Sequence, residues 1–104
     1  SLTAIMPVNE RTKQPIGILH GGANVALAES VASTAANGVI DLSQFYCVGL
    51  EINANHLRSV REGFVTAVSS PIHLGRTTQV WQIEIFNEDG KKTCISRMTA
   101  AVIS

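Results

Sequence analysis

The stretch His20-Gly21-Gly22-Ala23-Asn24-Val25-Ala26-Leu27-Ala28-Glu29 decides how this chain is read. Two glycines open an Ala-rich run that predicts a helix from about Gly22 to Asn37, with Asn37-Gly38 as its C-terminal stop. Between Lys13 and Asp41, Glu29 is the one residue that carries a full charge. A surface helix shows a stripe of Lys, Glu and Arg, whereas this one shows Ala, Val, Leu, Ser and Thr nearly all round. The expectation is a buried central helix. On it, Glu29 shares a face with Val25, Ala26, Ala32 and Ser33, whose small side chains let another group approach. A carboxylate in such a place is costly unless it is paired, protonated or used.

The glycines add a second expectation. The first N–H groups of a helix lack intrahelical partners and lie at the positive end of its dipole. Gly21 and Gly22 have no side chain to obstruct a carbonyl oxygen approaching those donors, and an oxyanion would be stabilised there. Glu29, two turns on, is expected to face the space beside that oxyanion, an arrangement suited to attack on an acyl group.

Working outward, the flanks read as strands. Leu2 to Val8 is short and apolar, and its Pro7 marks an edge or an end. Phe45 to Ile52 reads as a strand with Val48, Leu50 and Ile52 on one face and Cys47, Gly49 and Glu51 on the other, extended by Asn53 to Arg58. A turn at Arg61-Glu62-Gly63 precedes Phe64 to Ile72, and His73-Leu74-Gly75-Arg76 makes a bend. Thr78 to Phe86 alternates, Asn87-Glu88-Asp89-Gly90 is a hairpin turn, and Thr93 to Ile103 is the last strand. One strand, one long helix and four strands predict an α+β domain, with an antiparallel sheet packed on the helix.

The 104 residues make one domain, residues 1–104, and the absence of an initiator Met suggests a missing N-terminal segment. A net charge of zero gives no support for a nucleic-acid or anionic-membrane partner, and no long apolar run predicts a membrane span. Cys47 and Cys94 lie in strand-like contexts without CxxC spacing, which reads as reduced thiols of a cytoplasmic protein. The three histidines are dispersed, Glu29 has no histidine four residues on, and no GxSxG is present. Neither a metal site nor another cofactor is expected.

Four blocks carry a family resemblance: Gln14-Pro15-Ile16-Gly17-Ile18-Leu19-His20-Gly21-Gly22, Ala26-Leu27-Ala28-Glu29, Val48 to Arg58, and His73-Leu74-Gly75-Arg76. In them the chain resembles acyl-CoA thioesterases of the hotdog fold, in the PaaI-like branch that includes 4-hydroxybenzoyl-CoA and 1,4-dihydroxy-2-naphthoyl-CoA thioesterases. The resemblance runs over essentially the whole chain. It departs where Ser59 replaces the proline that commonly follows the arginine corresponding to Arg58.

The resemblance implies hydrolysis of an acyl-CoA, with an aromatic acyl group preferred, by Glu29 as nucleophile or general base. Gly21 would polarise the thioester carbonyl, with Gly22 beside it. His20 would help position the thioester or merely hold the loop, and Gln14 would place substrate or water. Ser33 would orient a water or simply pack in the helix. His56 would lie near the acyl or pantetheine end, Arg58 at the same strand end, and Arg76 would meet CoA phosphates. Trp81, Phe86 and His73 read as structural. Open strand edges imply a homodimer or a tetramer of paired dimers, with Gly21 and Glu29 of one site coming from different chains. Two rival functions stand beside hydrolysis. A non-catalytic acyl-CoA-binding module would not need Glu29, and an enoyl-thioester hydratase would need a D-x-N-P-x-H type motif that is absent.

Overall fold

Alternation of buried and half-exposed residues in the C-terminal half builds the sheet. A computed structural model of the protein describes residues 2–9, 13 and 21–104. The elements are β1 (Leu2–Pro7), α1 (Gly21–Gly38), β2 (Tyr46–His56), β3 (Phe64–Leu74), β4 (Thr78–Phe86) and β5 (Lys92–Ile103). In β4, Gln79, Trp81, Ile83 and Ile85 are buried while the residues between them are partly exposed, the period-2 signature of a strand with one covered face. The strands form one sheet in the order β1-β3-β4-β5-β2, every neighbouring pair antiparallel. Strands β2 and β3, consecutive in sequence, are therefore separated by β4 and β5. Helix α1 packs against all five strands, as the α+β reading expects.

The turns follow their sequences. Gly90 closes the β4–β5 hairpin at φ 78°, and Asn87 Oδ1 accepts hydrogen bonds from the backbone N–H groups of Asp89 and Lys91. Gly63, at φ 84°, opens β3, and any side chain there would collide with Glu88, whose Oε1 accepts the Phe64 N–H at 3.1 Å. His73 and Leu74 belong to β3, so the expected bend is confined to the residues after them, where the Gly75 N–H donates to the Thr78 carbonyl at 2.9 Å.

Two expectations need correction. First, α1 is not buried all round. Ala28, Val31, Ala32, Ala35 and Ala36 are buried against the sheet, but Gly22, Ala26, Glu29, Ser30 and Thr34 are exposed. A single curved sheet covers one side of a helix. The small residues on that side reflect how closely the backbones approach, not cover on every side. Glu29 is accordingly exposed.

Second, β2 does not alternate regularly. Gly49 pairs with Ala100 and Glu51 with Thr99, leaving Leu50 as the extra residue of a β-bulge. The bulge shifts the phase, so Ile52 and Ala54 pack on the core together with Cys47, and Val48 and Leu50 are exposed. The helix stops at Asn37-Gly38 as expected, held there by side-chain hydrogen bonds. Asn37 Nδ2 donates to the Ser33 carbonyl at 2.9 Å, and its Oδ1 accepts the Cys47 N–H at 3.0 Å, tying the last turn to β2. Gly38 has no positive φ.

The core lies between α1 and the sheet, with Ile83, Ile85, Met98, Val65 and Cys94 among its fully enclosed side chains. Trp81 belongs to it, 2% exposed, its indole N–H donating to Gln79 Oε1 at 2.9 Å. Cys47 and Cys94 are both free thiols, and burial raises the pKa of each. Among the described residues, no helix is long and apolar enough to cross a membrane.

Candidate active site

The first turn of α1 meets the end of β2. A Cβ built on Gly21 would stand 3.4 Å from Nε2 of His56, so the imidazole lies against the glycine backbone. Asn24, one turn further and 5% exposed, donates from Nδ2 to His56 Nδ1 at 3.4 Å. Its Oδ1 is buried and has no hydrogen-bond partner among the described residues. Antiparallel pairing puts His56 opposite Cys94, which fixes where on the sheet the ring stands.

Glu29 lies in the middle of the helix. With Gly49, Leu50, Glu51, Ile52 and Met98 it lines a groove of about 230 Å³ between α1 and the bulged strand β2. The bulge turns Leu50 out of the ladder and brings a second carboxylate, Glu51, to the same groove, where it accepts from Asn53 Nδ2 at 3.2 Å. The Glu29 side chain has no hydrogen bond or ion pair to another described residue. On its other side, Ala26, Ser30, Ser33 and Thr34 line a shallow open surface with it. The Ser33 hydroxyl donates to Met98 Sδ at 3.8 Å, a weak contact that turns it toward the sheet.

The residues singled out from the sequence thus fall into separate groups. Gly21 and His56 meet directly, and Glu29 and Ser33 lie on adjacent turns. Eight residues at 1.5 Å each separate Gly21 from Glu29 by about 12 Å along the axis. Within one chain, Glu29 therefore does not adjoin a group held at the same helix start. Arg58 is exposed beyond β2, its N–H donating to the Thr93 carbonyl at 3.3 Å. Arg76 is at the other end of the molecule from Gly21. With Ile40, Asp41, Phe45, Gly75, Thr77 and Val102 it lines a pocket of about 670 Å³ beyond the C-terminus of α1. Within that pocket, hydrogen bonds from the Ser43 hydroxyl and N–H lower the pKa of the Asp41 carboxyl. Gln14 and His20 lie outside the described residues. Among the described residues, no three His, Cys, Asp or Glu side chains are grouped to hold a metal ion.

Sequence reasoning passed over Asn24 and Glu51. The signal for Asn24 was an amide three residues after Gly21 in an otherwise apolar helix, a spacing that puts both on one face. Glu51 had no readable signal, because the regular alternation assumed for β2 hid the bulge that brings it to the groove.

The model of the thioesterase superfamily matches residues 16–94. The chain belongs to the thioesterase superfamily. Its chemistry is therefore hydrolysis of a thioester, and the one-helix, five-strand arrangement is the hotdog fold of this superfamily. The chain is 57% identical over 103 residues to the 1,4-dihydroxy-2-naphthoyl-CoA hydrolase of Escherichia coli, covering 99% of this chain and 75% of that one. It superposes on a crystal structure of a Pseudomonas aeruginosa thioesterase variant with a TM-score of 0.96 at 60% identity, covering 97% of this chain and 73% of the other. A Staphylococcus aureus thioesterase with a glutamine replaced by alanine gives a TM-score of 0.95 at 41% identity, with 98% of this chain and 84% of that one covered. The same S. aureus protein has also been crystallised with a glutamate replaced by alanine. Those glutamine and glutamate positions are 15 apart in its sequence, the same separation as Gln14 and Glu29 here (29 − 14).

Proposed function

We propose that this thioesterase hydrolyses acyl-CoA thioesters, aromatic acyl groups preferred, with Glu29 delivering the attack. The single observation that carries the reading is the position of Glu29: the only charged side chain of α1, exposed at a groove and unpaired among the described residues. In the reaction, a water oxygen or the Glu29 carboxylate adds to the thioester carbonyl carbon. The C–S bond then breaks, and CoA leaves as a thiolate that takes up a proton. When the carboxylate attacks first, water hydrolyses the resulting anhydride. The Gly21 N–H, at the positive end of the helix dipole, would hold the carbonyl oxygen as negative charge develops.

Gln14 and His20 complete the proposed catalytic set, Gln14 supported by the matching glutamine-to-glutamate spacing in the S. aureus thioesterase. Ser33, Gly22, His56, Arg58 and Arg76 are assigned to substrate or CoA. The CoA and aromatic parts of the reading draw on the E. coli relative named as a 1,4-dihydroxy-2-naphthoyl-CoA hydrolase. The separation of about 12 Å along one helix favours a site shared between two copies, with Gly21 from one and Glu29 from the other. The exposed apolar edge of β2, where Tyr46 is 52% and Leu50 63% exposed, supports such pairing. Free thiols at Cys47 and Cys94 fit a cytoplasmic location.

The test is thiol release from a panel of aroyl-, phenylacetyl- and medium-chain acyl-CoAs. The reading predicts steady turnover, fastest with aroyl groups and unaffected by EDTA. Binding without turnover on every member of the panel would contradict it.

A further inference from the structure

A buried amide oxygen without a partner destabilises a fold, and such groups are few in native proteins. Asn24 in the first turn of α1 carries a buried amide oxygen with no partner among the described residues, beside Ala and Val neighbours that would pack without it. The other end of the same amide is engaged, donating to Nδ1 of His56 at 3.4 Å. An amide N–H₂ can only donate, so His56 Nδ1 takes this hydrogen bond when it is the lone-pair nitrogen. In the neutral ring the proton then sits on Nε2. That nitrogen is the His56 atom nearest the Cβ position of Gly21, at 3.4 Å. The ring is thus set with its one N–H at the helix start, where Gly21 already offers a backbone donor.

We propose that Asn24 is a positioning residue: its amide holds His56 in the Nε2–H tautomer, and that N–H joins the Gly21 N–H as a second donor to the thioester carbonyl oxygen. The inference rests on the reading of Gly21 given under Proposed function. It adds to that reading a side-chain donor whose direction is set from the helix. Two donors converging on one oxygen stabilise a developing oxyanion more than either alone. A donor whose tautomer is fixed beforehand does not have to reorganise during the reaction. Sheet and helix register cooperate here. His56 closes β2 opposite Cys94, and Asn24 is one helical turn from Gly21, so all three groups meet only when α1 is docked on the sheet.

The experiment combines spectroscopy and kinetics on the full chain. Long-range ¹H–¹⁵N correlation of the histidine rings at pH 8, with the His56 signals identified by their loss in His56→Ala, reports which nitrogen is protonated. The proposal predicts Nε2–H in the parent protein and a mixture of tautomers in Asn24→Ala. It also predicts that Asn24→Ala lowers kcat about tenfold, the order expected for misorienting one donor, with KM changed less than about twofold. In a His56→Ala background, Asn24→Ala should cost nothing further. Asn24→Asp keeps the side chain's size, presents an acceptor to Nδ1 and draws the proton there, so it should lose kcat similarly even if Asn24→Ala folds poorly. A parent His56 protonated on Nδ1, or an Asn24→Ala loss that persists undiminished without His56, would overturn the proposal. Full activity of Glu29→Gln would instead overturn the reading of the reaction, leaving the tautomer assignment to be judged separately.

Discussion

The two faces of α1 are made of similar residues and do different work. Facing the sheet, Ala28, Val31, Ala32, Ala35 and Ala36 are buried, and their small side chains let the helix lie close to Ile83, Ile85 and Met98. Facing away, Ala26, Glu29, Ser30 and Thr34 are equally small apart from the one carboxylate, yet they are exposed. Smallness on the first face serves packing density. On the second it leaves room for a ligand or a second chain against Glu29. The contrast teaches that an uncharged helix is not always an enclosed one. Under the proposed role of Glu29 it also separates stability from chemistry by side, so substitutions on the two faces should fail in different ways.

The largest expected effect is on the open face. Glu29→Gln should lower kcat by about 10²–10⁴, the worth of a general base, with more lost if the carboxylate is the nucleophile. KM should hardly change, and stability should stay within about 0.5 kcal/mol, because the side chain is exposed and unpaired among the described residues. Steady-state kinetics and a melting curve on one preparation check both halves. A large fall in melting temperature with normal turnover would erase the distinction between the faces.

On the packed face the pattern should reverse. Ala32→Leu forces a larger side chain into a fully buried site and should destabilise the protein by about 1–3 kcal/mol, read as a lower urea midpoint at unchanged slope. Turnover per folded molecule should stay near that of the parent. A stable Ala32→Leu protein would mean that α1 is less tightly docked than its burial indicates.

A smaller effect sharpens the account of the open side. Leu50, 63% exposed at the β2 bulge, is a natural contact for a second copy. Leu50→Lys places a charge on that edge and should weaken self-association about tenfold while leaving the monomer's fold intact. Sedimentation velocity over a concentration series measures it. Undiminished association would remove the β2 edge from the proposed interface.

Much of this was readable beforehand. The strand boundaries of β4, the Gly90 hairpin and the single helix follow from strict period-2 alternation, turn residues and one long uncharged run, each a local signal. What stayed hidden was non-local. The bulge at Leu50 depends on how β2 pairs with β5, at the far end of the chain, and no residue type announces it. The exposure of Glu29 depends on the sheet covering one side of α1, which helical periodicity cannot report when both faces are small. His56 was legible as a strand-end histidine, but its partnership with Asn24 joins positions 32 apart in sequence. The position of Glu29 in the groove rests on the pairing of β2 with β5, because the bulged β2 forms the opposite wall.

The central claim is that Gly21 and Glu29, too far apart to share a carbonyl within one chain, serve one site from two chains. Subunit mixing tests it most directly. Glu29→Gln removes the carboxylate, and Gly21→Pro removes the N–H at a helix position that tolerates proline. Each variant alone should be nearly inactive. Co-expressed in equal amounts, they should recover about a quarter of parental activity, because half of randomly paired dimers are mixed and each mixed dimer carries one intact site of two. No recovery from a mixture shown to contain mixed dimers, with both variants folded, would contradict the account.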